Sequence, residues 1–311
     1  MGFLGFDIFY LAPSCESEAR RSPILGKSHL LGSLTSWRSG GSTISLGMII
    51  KGPEGLVLAA ESRITLSATN RETGQKISVS YDNAQKVFNF SKPHTHVGAV
   101  TYGAGGIGER SAFSYITEFE SSLNETTRLT IGAFALRLSD FYLGQWKSTM
   151  PSDYKGQAMT FVVGGYDEGE AYGRVYEFEI PNAPKPVERT SLQEFGITWG
   201  GQHEIVDRLL AGYDLRAVDV VKQALNLTDD QVKKLVEALG RFQMPLPINL
   251  LPLQDCVDIA ILFIRTTIGA QRLTVGIRGV GGPIDIATIT RTHGFQWVQR
   301  KTLRGETTTF S

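Results

Sequence analysis

The stretch Ser42 to Thr65 reads S-T-I-S-L-G-M-I-I-K-G-P-E-G-L-V-L-A-A-E-S-R-I-T, and its reading decides the fold. An apolar run ends at Gly52-Pro53-Glu54-Gly55, a turn sequence, and a second apolar run leads to Glu61 and Arg63. Two strands, at about 43–51 and 55–62, joined by a hairpin are the expectation. Ser42 and Thr43 stand at the head of the first strand. A threonine hydroxyl is a weak nucleophile at neutral pH, but a threonine that has become the first residue can pass its hydroxyl proton to its own α-amine. That amine has an ordinary pKa of roughly 7.7–8.0, close to working pH. The order therefore suits a nucleophile at Thr43 that works only after the chain ahead of it is removed.

Residues 1–42 are rich in Ser, Gly and Arg and show no sustained period, so they are read as a leader outside the fold. Gly40-Gly41, just ahead of Thr43, is where a processing cut reaches. The start M-G-F-L-G-F-D lacks a basic region, carries Asp7 and has Phe6 where the myristoylation pattern needs Ser or Thr, so neither a secretory signal nor that lipid is expected. Across 311 residues, 41% apolar content is ample for a buried core, and 31 basic side chains balance 31 acidic ones. That balance sets up no global field to attract nucleic acid or an anionic membrane. No apolar run approaches the roughly 18 residues that span a bilayer. Cys15 and Cys256 cannot build a disulfide framework, which fits a reducing compartment. A cytoplasmic protein with neither nucleic-acid nor membrane partner is the expectation.

Downstream, strands are expected near 84–90 and 96–102, helices near 109–124 and 131–148, and strands again near 158–165, 172–180 and 195–199. A helix at about 203–212 follows. Residues 216–240 read as an extra helical pair with Thr228 and Gln231 at capping-box spacing, bounded by Pro245, Pro247 and Pro252. A long helix at 254–272 precedes a closing strand at 284–290. Helices grouped in pairs between sets of hairpin-connected strands imply an α+β fold, a four-layer αββα sandwich of two antiparallel sheets with helices outside. The domain is bounded at 43–295, with a helical insertion at about 216–252 and a C-terminal tail at 296–311.

Gly103-Ala104-Gly105-Gly106-Ile107-Gly108 matches G-x-G-x-x-G after a strand and before a helix. A dinucleotide fingerprint also needs a second parallel strand soon after the helix, and here a second helix follows instead. A tight turn without a ligand and an oxyanion hole built on bare backbone N–H groups are the other two readings. Lys86 sits in an otherwise apolar strand, either snorkelling to the surface or pointing into a site and pairing with Glu61. His94 and His96 have no companion ligands in the sequence, and no metal or cofactor is expected. The sequons at Asn124 and Asn226 have no bearing on a cytosolic chain.

At these residues the chain resembles the proteasome β-type subunits, members of the N-terminal-nucleophile hydrolases. T-I-S-L-G-M from Thr43 is similar to the family's mature N-terminus, V-L-A-A-E-S-R-I-T to its second strand, Q-K-V-F to its lysine strand, and T-Y-G-A-G-G-I-G-E to its oxyanion turn. The resemblance implies Thr43 as nucleophile, Glu61 as acidic partner, Lys86 as activating lysine and Gly105 as oxyanion donor. It places Arg63, Ile64, Thr65, Ala84, Phe88, Gly103 and Ile107 along the substrate channel. The alignment assumes a two-residue insertion in the Gly52–Gly55 hairpin; without it the nucleophile slips to Ser45. Three departures stand out: Glu61 replaces the usual Asp, Trp199 stands where Ser or Gly is expected, and no acid lies between Asp258 and Asp285. Cutting after Gly41 would expose Ser42 rather than Thr43. The resemblance implies a threonine peptidase, processed from a precursor and assembled into a homo-oligomeric ring, acting on peptides or unfolded proteins. The alternatives are a catalytically silent subunit of the same fold, an amidase acting on small amides and, from the glycine motif, an oxidoreductase.

Overall fold

The computed structural model describes residues 9–11, 45–69, 76–123, 126–190, 192–276, 278–303 and 305. The strand expected at about 43–51 appears as β2 (Leu46–Lys51), preceded in the chain by a short β1 (Phe9–Leu11) and followed by β3 (Leu56–Glu61) across the Gly52 turn. Then come β4 (Ile64–Thr69), β5 (Lys76–Tyr81), β6 (Val87–Asn89), β7 (Val97–Gly103), β8 (Gly106–Ile107) and β9 (Arg110–Ser111). Helices α1 (Ile116–Ser122) and α2 (Ile131–Thr149) precede β10 (Met159–Gly165), β11 (Arg174–Ile180), β12 (Ala183–Thr190) and β13 (Gly196–Gly201). The chain continues through α3 (Glu204–Ala211), α4 (Arg216–Leu225), α5 (Asp229–Leu239), α6 (Leu253–Leu273), β14 (Ile284–Thr290) and β15 (Gly294–Gln299).

The architecture is mixed α/β. One sheet has the order β1-β13-β2-β3-β14-β15 and the other β12-β11-β10-β7-β6. Their described pairings are antiparallel, except that β1 runs parallel to β13. The central strands β2 and β3 are buried along their whole length, so both faces are apolar and the run lacks a polar face. Alternation still sorts the two faces. Met48, Ile50, Val57 and Ala59 meet Val206, Phe263 and Ile264 of α3 and α6, while Ile49, Leu56 and Leu58 meet Val100 and Val162 of the second sheet. On the second sheet's other face, Phe88, Phe161 and Phe178 pack against Phe134 and Leu138 of α2. Gly47 lets the two sheets close up, because a Cβ there would lie 2.5 Å from Val100 Cγ1.

The structure departs from the sequence expectations in several places. The expected helix at 109–124 gives way to the β8–β9 ribbon, a 3-10 turn at Ala112–Tyr115 and the seven-residue α1. Gly106 explains the ribbon, since a Cβ there would sit 2.3 Å from the Arg110 carbonyl oxygen. The β4–β5 hairpin and the β12 strand stand where no strand was expected. Phe9–Leu11, inside the expected leader, pairs with β13, and β15 crosses the expected start of the tail at 296. The helical pair is present as α4 and α5, with the Thr228–Gln231 capping box formed. Among the described residues no helix is long and apolar enough to cross a membrane.

His96, at the entry to β7, is buried, with Nε2 3.0 Å from the Leu129 carbonyl oxygen and no hydrogen-bond partner on Nδ1. Burial pushes its pKa down to about 4, assisted by Arg128 and His94 and opposed by the Leu129 carbonyl and Asp167. The unfolded chain takes up this proton near pH 6.5 whereas the folded one refuses it until about 4. Stability is therefore expected to fall as pH drops from about 6.5 to about 4. Urea midpoints measured across that window should show the slope in the natural chain and a shallower slope in His96→Gln.

Candidate functional site

Glu61 ends β3 with 1% exposure, and a buried carboxylate needs donors on both oxygens. Oε1 accepts from the Leu46 amide at 3.2 Å and from the Lys86 ammonium; Oε2 accepts from the Arg63 amide at 2.6 Å and the Gly281 amide at 3.0 Å. The Lys86 ammonium, 4% exposed, donates to Glu61, to the Arg63 carbonyl and to the Ser45 hydroxyl, the last at 2.7 Å. An ammonium carries three donors, and all three are used. Burial lowers the Lys86 pKa, Glu61 opposes that by attraction and hydrogen bonding, and the charges of Lys301 and Arg63 add to the lowering.

Ser45 sits one residue ahead of β2, buried, at a φ of +82°. For a residue with a Cβ this left-handed backbone costs on the order of 1–3 kcal/mol, so its surroundings must hold it. They do: the Ser45 amide donates to the Gly279 carbonyl at 3.0 Å, and its carbonyl accepts from the Gln202 amide at 2.6 Å. Gly201 allows that approach, since a Cβ there would stand 2.2 Å from the Ser45 carbonyl oxygen.

Ser45 and Lys86 line a small cleft, partly open to solvent, together with Ile64, Ala84, Thr101 and the Gly103–Gly105 segment. Gly105 is packed under Ile64, where a Cβ would lie 2.2 Å from Ile64 Cδ1. A hydroxyl, a desolvated ammonium and a glycine-flanked turn of main chain thus share one concave space. That set can attack a carbonyl and hold the negative oxygen that forms.

The structure gathers Lys86, Gly105, Ile64, Ala84 and Gly103 around this cleft, with Glu61 behind Lys86, and separates Thr65, Phe88 and Ile107 from it. Thr43 lies outside the described residues, and the hydroxyl on Lys86 belongs to Ser45. The hairpin register decides this: Lys51 pairs with Leu56 and Gly47 with Ala60, which sets Leu46 opposite Glu61. Arg63 takes part through its main chain, while its guanidinium turns to Asp82 at 2.6 and 2.8 Å. The Thr65 hydroxyl is 3.0 Å from that of Ser80 on the β4–β5 ribbon. Phe88 and Ile107 are fully buried in the core against α2 rather than in the cleft.

Trp199 also stands away from the site. Its ring joins the core beneath α3, and Nε1 donates to Asp207 at 3.2 Å. Register places Gly200 and Gly201, rather than Trp199, opposite Gly47 and Leu46. Gly279 and Gly281, which bind Ser45 and Glu61 through main-chain groups, lie in the loop before β14. A Glu61→Gln substitution removes the charge that matches Lys86 and leaves a cation buried. The variant is expected to lose about 3–5 kcal/mol of unfolding free energy, measured by urea denaturation at neutral pH.

No protein-family model matches the sequence, and no curated protein matches it. Solved structures similar to the chain include an Anbu Gly-1 mutant from Hyphomicrobium sp. strain MC1, at 15% identity and a TM-score of 0.48, covering 83% of this chain and 86% of that one. They also include Anbu, described as an ancestral beta-subunit, from Yersinia bercovieri, at 15% identity and a TM-score of 0.46, covering 81% of this chain and 87% of that one. These findings correct the sequence-based assignment to the proteasome β-type subunits. The similar structures are Anbu proteins, and at that identity and TM-score the likeness assigns neither a family nor an activity.

Proposed function

We propose that the chain is an amide-bond hydrolase whose nucleophile is Ser45, acting as the first residue of a processed chain. The observation that carries this reading is the 2.7 Å contact between the Lys86 ammonium and the Ser45 hydroxyl, buried beside Glu61. A lysine desolvated in that way favours the deprotonated forms of the hydroxyl and of any amine next to it. The four-layer stacking of helices on two facing sheets is part of the same reading, supported by the packing of α2 on one sheet and of α3 and α6 on the other.

In the precursor, Ser45 Oγ attacks the Ile44 carbonyl carbon, the C–N bond to Ser45 breaks, and the acyl group passes to oxygen as an ester. Water hydrolyses that ester and leaves a free α-amine on Ser45. In turnover the amine takes the Oγ proton through a water as Oγ attacks a substrate amide carbon. The Gly105 N–H receives the developing oxyanion, the proton passes to the leaving amine, and a second water releases the acyl group. Peptides are the substrate class that this chemistry addresses. Assembly of copies into a ring belongs to the same reading, supported by the exposed apolar residues Val220 and Leu225 on α4 and Leu262 on α6.

A non-catalytic role is the second reading, and a specific observation favours it. The β13 residues paired with the start of β2 are Gly200 and Gly201, which offer no hydroxyl to a liberated amine. N-terminal sequencing and a fluorogenic peptide assay separate the two. The hydrolase reading expects a mature chain starting at Ser45 and loss of essentially all hydrolysis in Ser45→Ala, a variant that still folds but melts lower because the buried Lys86 ammonium loses an acceptor. Thr43→Ala is expected to be processed and to hydrolyse normally. A chain that retains residue 44 and cleaves no peptide supports the silent role.

A further inference from the structure

After β15 the chain turns back onto the site. The Lys301 amide donates to Asp285 Oδ1 at 2.9 Å, and its ammonium bonds both Asp285 Oδ2 and the Ser62 hydroxyl, the latter at 2.9 Å. Asp285 and Ser62 are buried, at 1% and 0% exposure. Arg300, stacked on Trp297, donates to Gln85 Oε1 at 3.2 Å. Both targets flank the central pair. Ser62 lies between Glu61 and Arg63, which together accept two of the three Lys86 hydrogen bonds, and Gln85 immediately precedes Lys86.

Stability alone does not explain a buried lysine–aspartate pair here. Desolvating two charges takes back most of their attraction, and an apolar pair of similar size would hold the strands at least as well. What an apolar pair would not do is fix a hydroxyl by a directional bond or set a cation near Lys86.

We propose that Lys301, held by Asp285 and aided by Arg300, is a positioning residue for the Glu61–Lys86 pair, so that the C-terminal segment clamps the strand ends that carry the site. The proposal rests on the Ser45 hydrolase reading. The charged groups around Lys86 are Glu61, the Arg63 guanidinium with its partner Asp82, and Lys301 with its partner Asp285. Neutralising the Lys301–Asp285 pair as a unit leaves the net charge near Lys86 unchanged, so water admitted past the loosened clamp sets the direction: it hydrates the ammonium, raising its proton affinity and weakening its pull on the Ser45 hydroxyl.

The test uses the full chain with 13C at the lysine Cε, the Lys86 signal being identified by its loss in Lys86→Met. In the neutral double variant Lys301→Met/Asp285→Asn, the Lys86 titration midpoint is expected to move to higher pH. A fluorophosphonate probe should label Ser45 about tenfold or more slowly at neutral pH. Lys301→Arg, which keeps the charge, is expected to restore the midpoint. A double variant that melts like the natural chain with an unmoved midpoint overturns the proposal. If the double variant does not fold, Ser62→Ala decides, because it leaves the Lys301–Asp285 pair intact: an upward shift supports the clamp and an unmoved midpoint overturns it. The two readings fail separately. Labelling of Ser45 in the natural chain with no midpoint shift in the variants removes the clamp and keeps the hydrolase. A midpoint shift in a protein whose Ser45 never labels keeps the clamp and removes the hydrolase.

Discussion

The contact between Lys86 and Glu61 is the constraint around which this molecule is arranged. Each charge would be prohibitive alone in a dry interior, and together they still need every remaining hydrogen-bonding position filled. The fold answers with main-chain groups from separate parts of the chain: the Leu46 amide at the start of β2, the Arg63 amide and carbonyl just past β3, and the Gly281 amide from the loop before β14. One more acceptor was needed for the ammonium, and Ser45 supplies it. The pair thus converts a long-range arrangement of backbone into a fixed position for one hydroxyl.

That arrangement depends on close backbone approaches around the start of β2. Gly47 admits Val100 from the facing sheet, and Gly201 admits the Ser45 carbonyl. Gly200 admits Tyr102, whose ring carbon Cζ would lie 2.2 Å from a Cβ at that position. The Tyr102 hydroxyl donates to Glu177 at 2.8 Å, and Glu177 is paired with Arg189. Burial together with the Glu177 charge raises the Tyr102 pKa, which keeps it a neutral donor. Tyr102 directly precedes the Gly103–Gly105 turn, so this buried network also anchors the backbone on the other side of the cleft.

Much of the fold was legible because the apolar patterns are strong. The Gly52–Gly55 hairpin, the long helices α2 and α6 and the capped start of α5 all follow from residue types acting over a few positions. The β4–β5 ribbon and β12 were not legible. β12 is Ala183–Thr190, A-P-K-P-V-E-R-T, with two prolines, and it exists because β11 offers it a pairing edge. The start of α1 was misread for a related reason: Gly106 and Gly108 look like a helix entry until Arg110 folds back against them. Of the site, Glu61, Lys86 and the glycine turn were visible as residue types out of place in apolar surroundings. Ser45 was visible only as the outcome of a hairpin without an insertion.

The amino-acid sequence by itself determined that a hydroxyl-bearing strand head, a carboxylate strand end, a lysine in an apolar strand and a glycine turn would occur in that order, since each is written in local composition and period. Only the tertiary structure decided which hydroxyl meets the lysine. That the Ser45 hydroxyl meets it belongs to the cross-strand register, set by the hydrogen bonds from Lys51–Leu56 to Gly47–Ala60. It decided also that Trp199 faces the helix layer and that Lys301 returns to Ser62. Such facts depend on groups far apart in the chain meeting in a dry interior, where unpaired charges and donors are too unfavourable to leave, and no local pattern encodes that meeting.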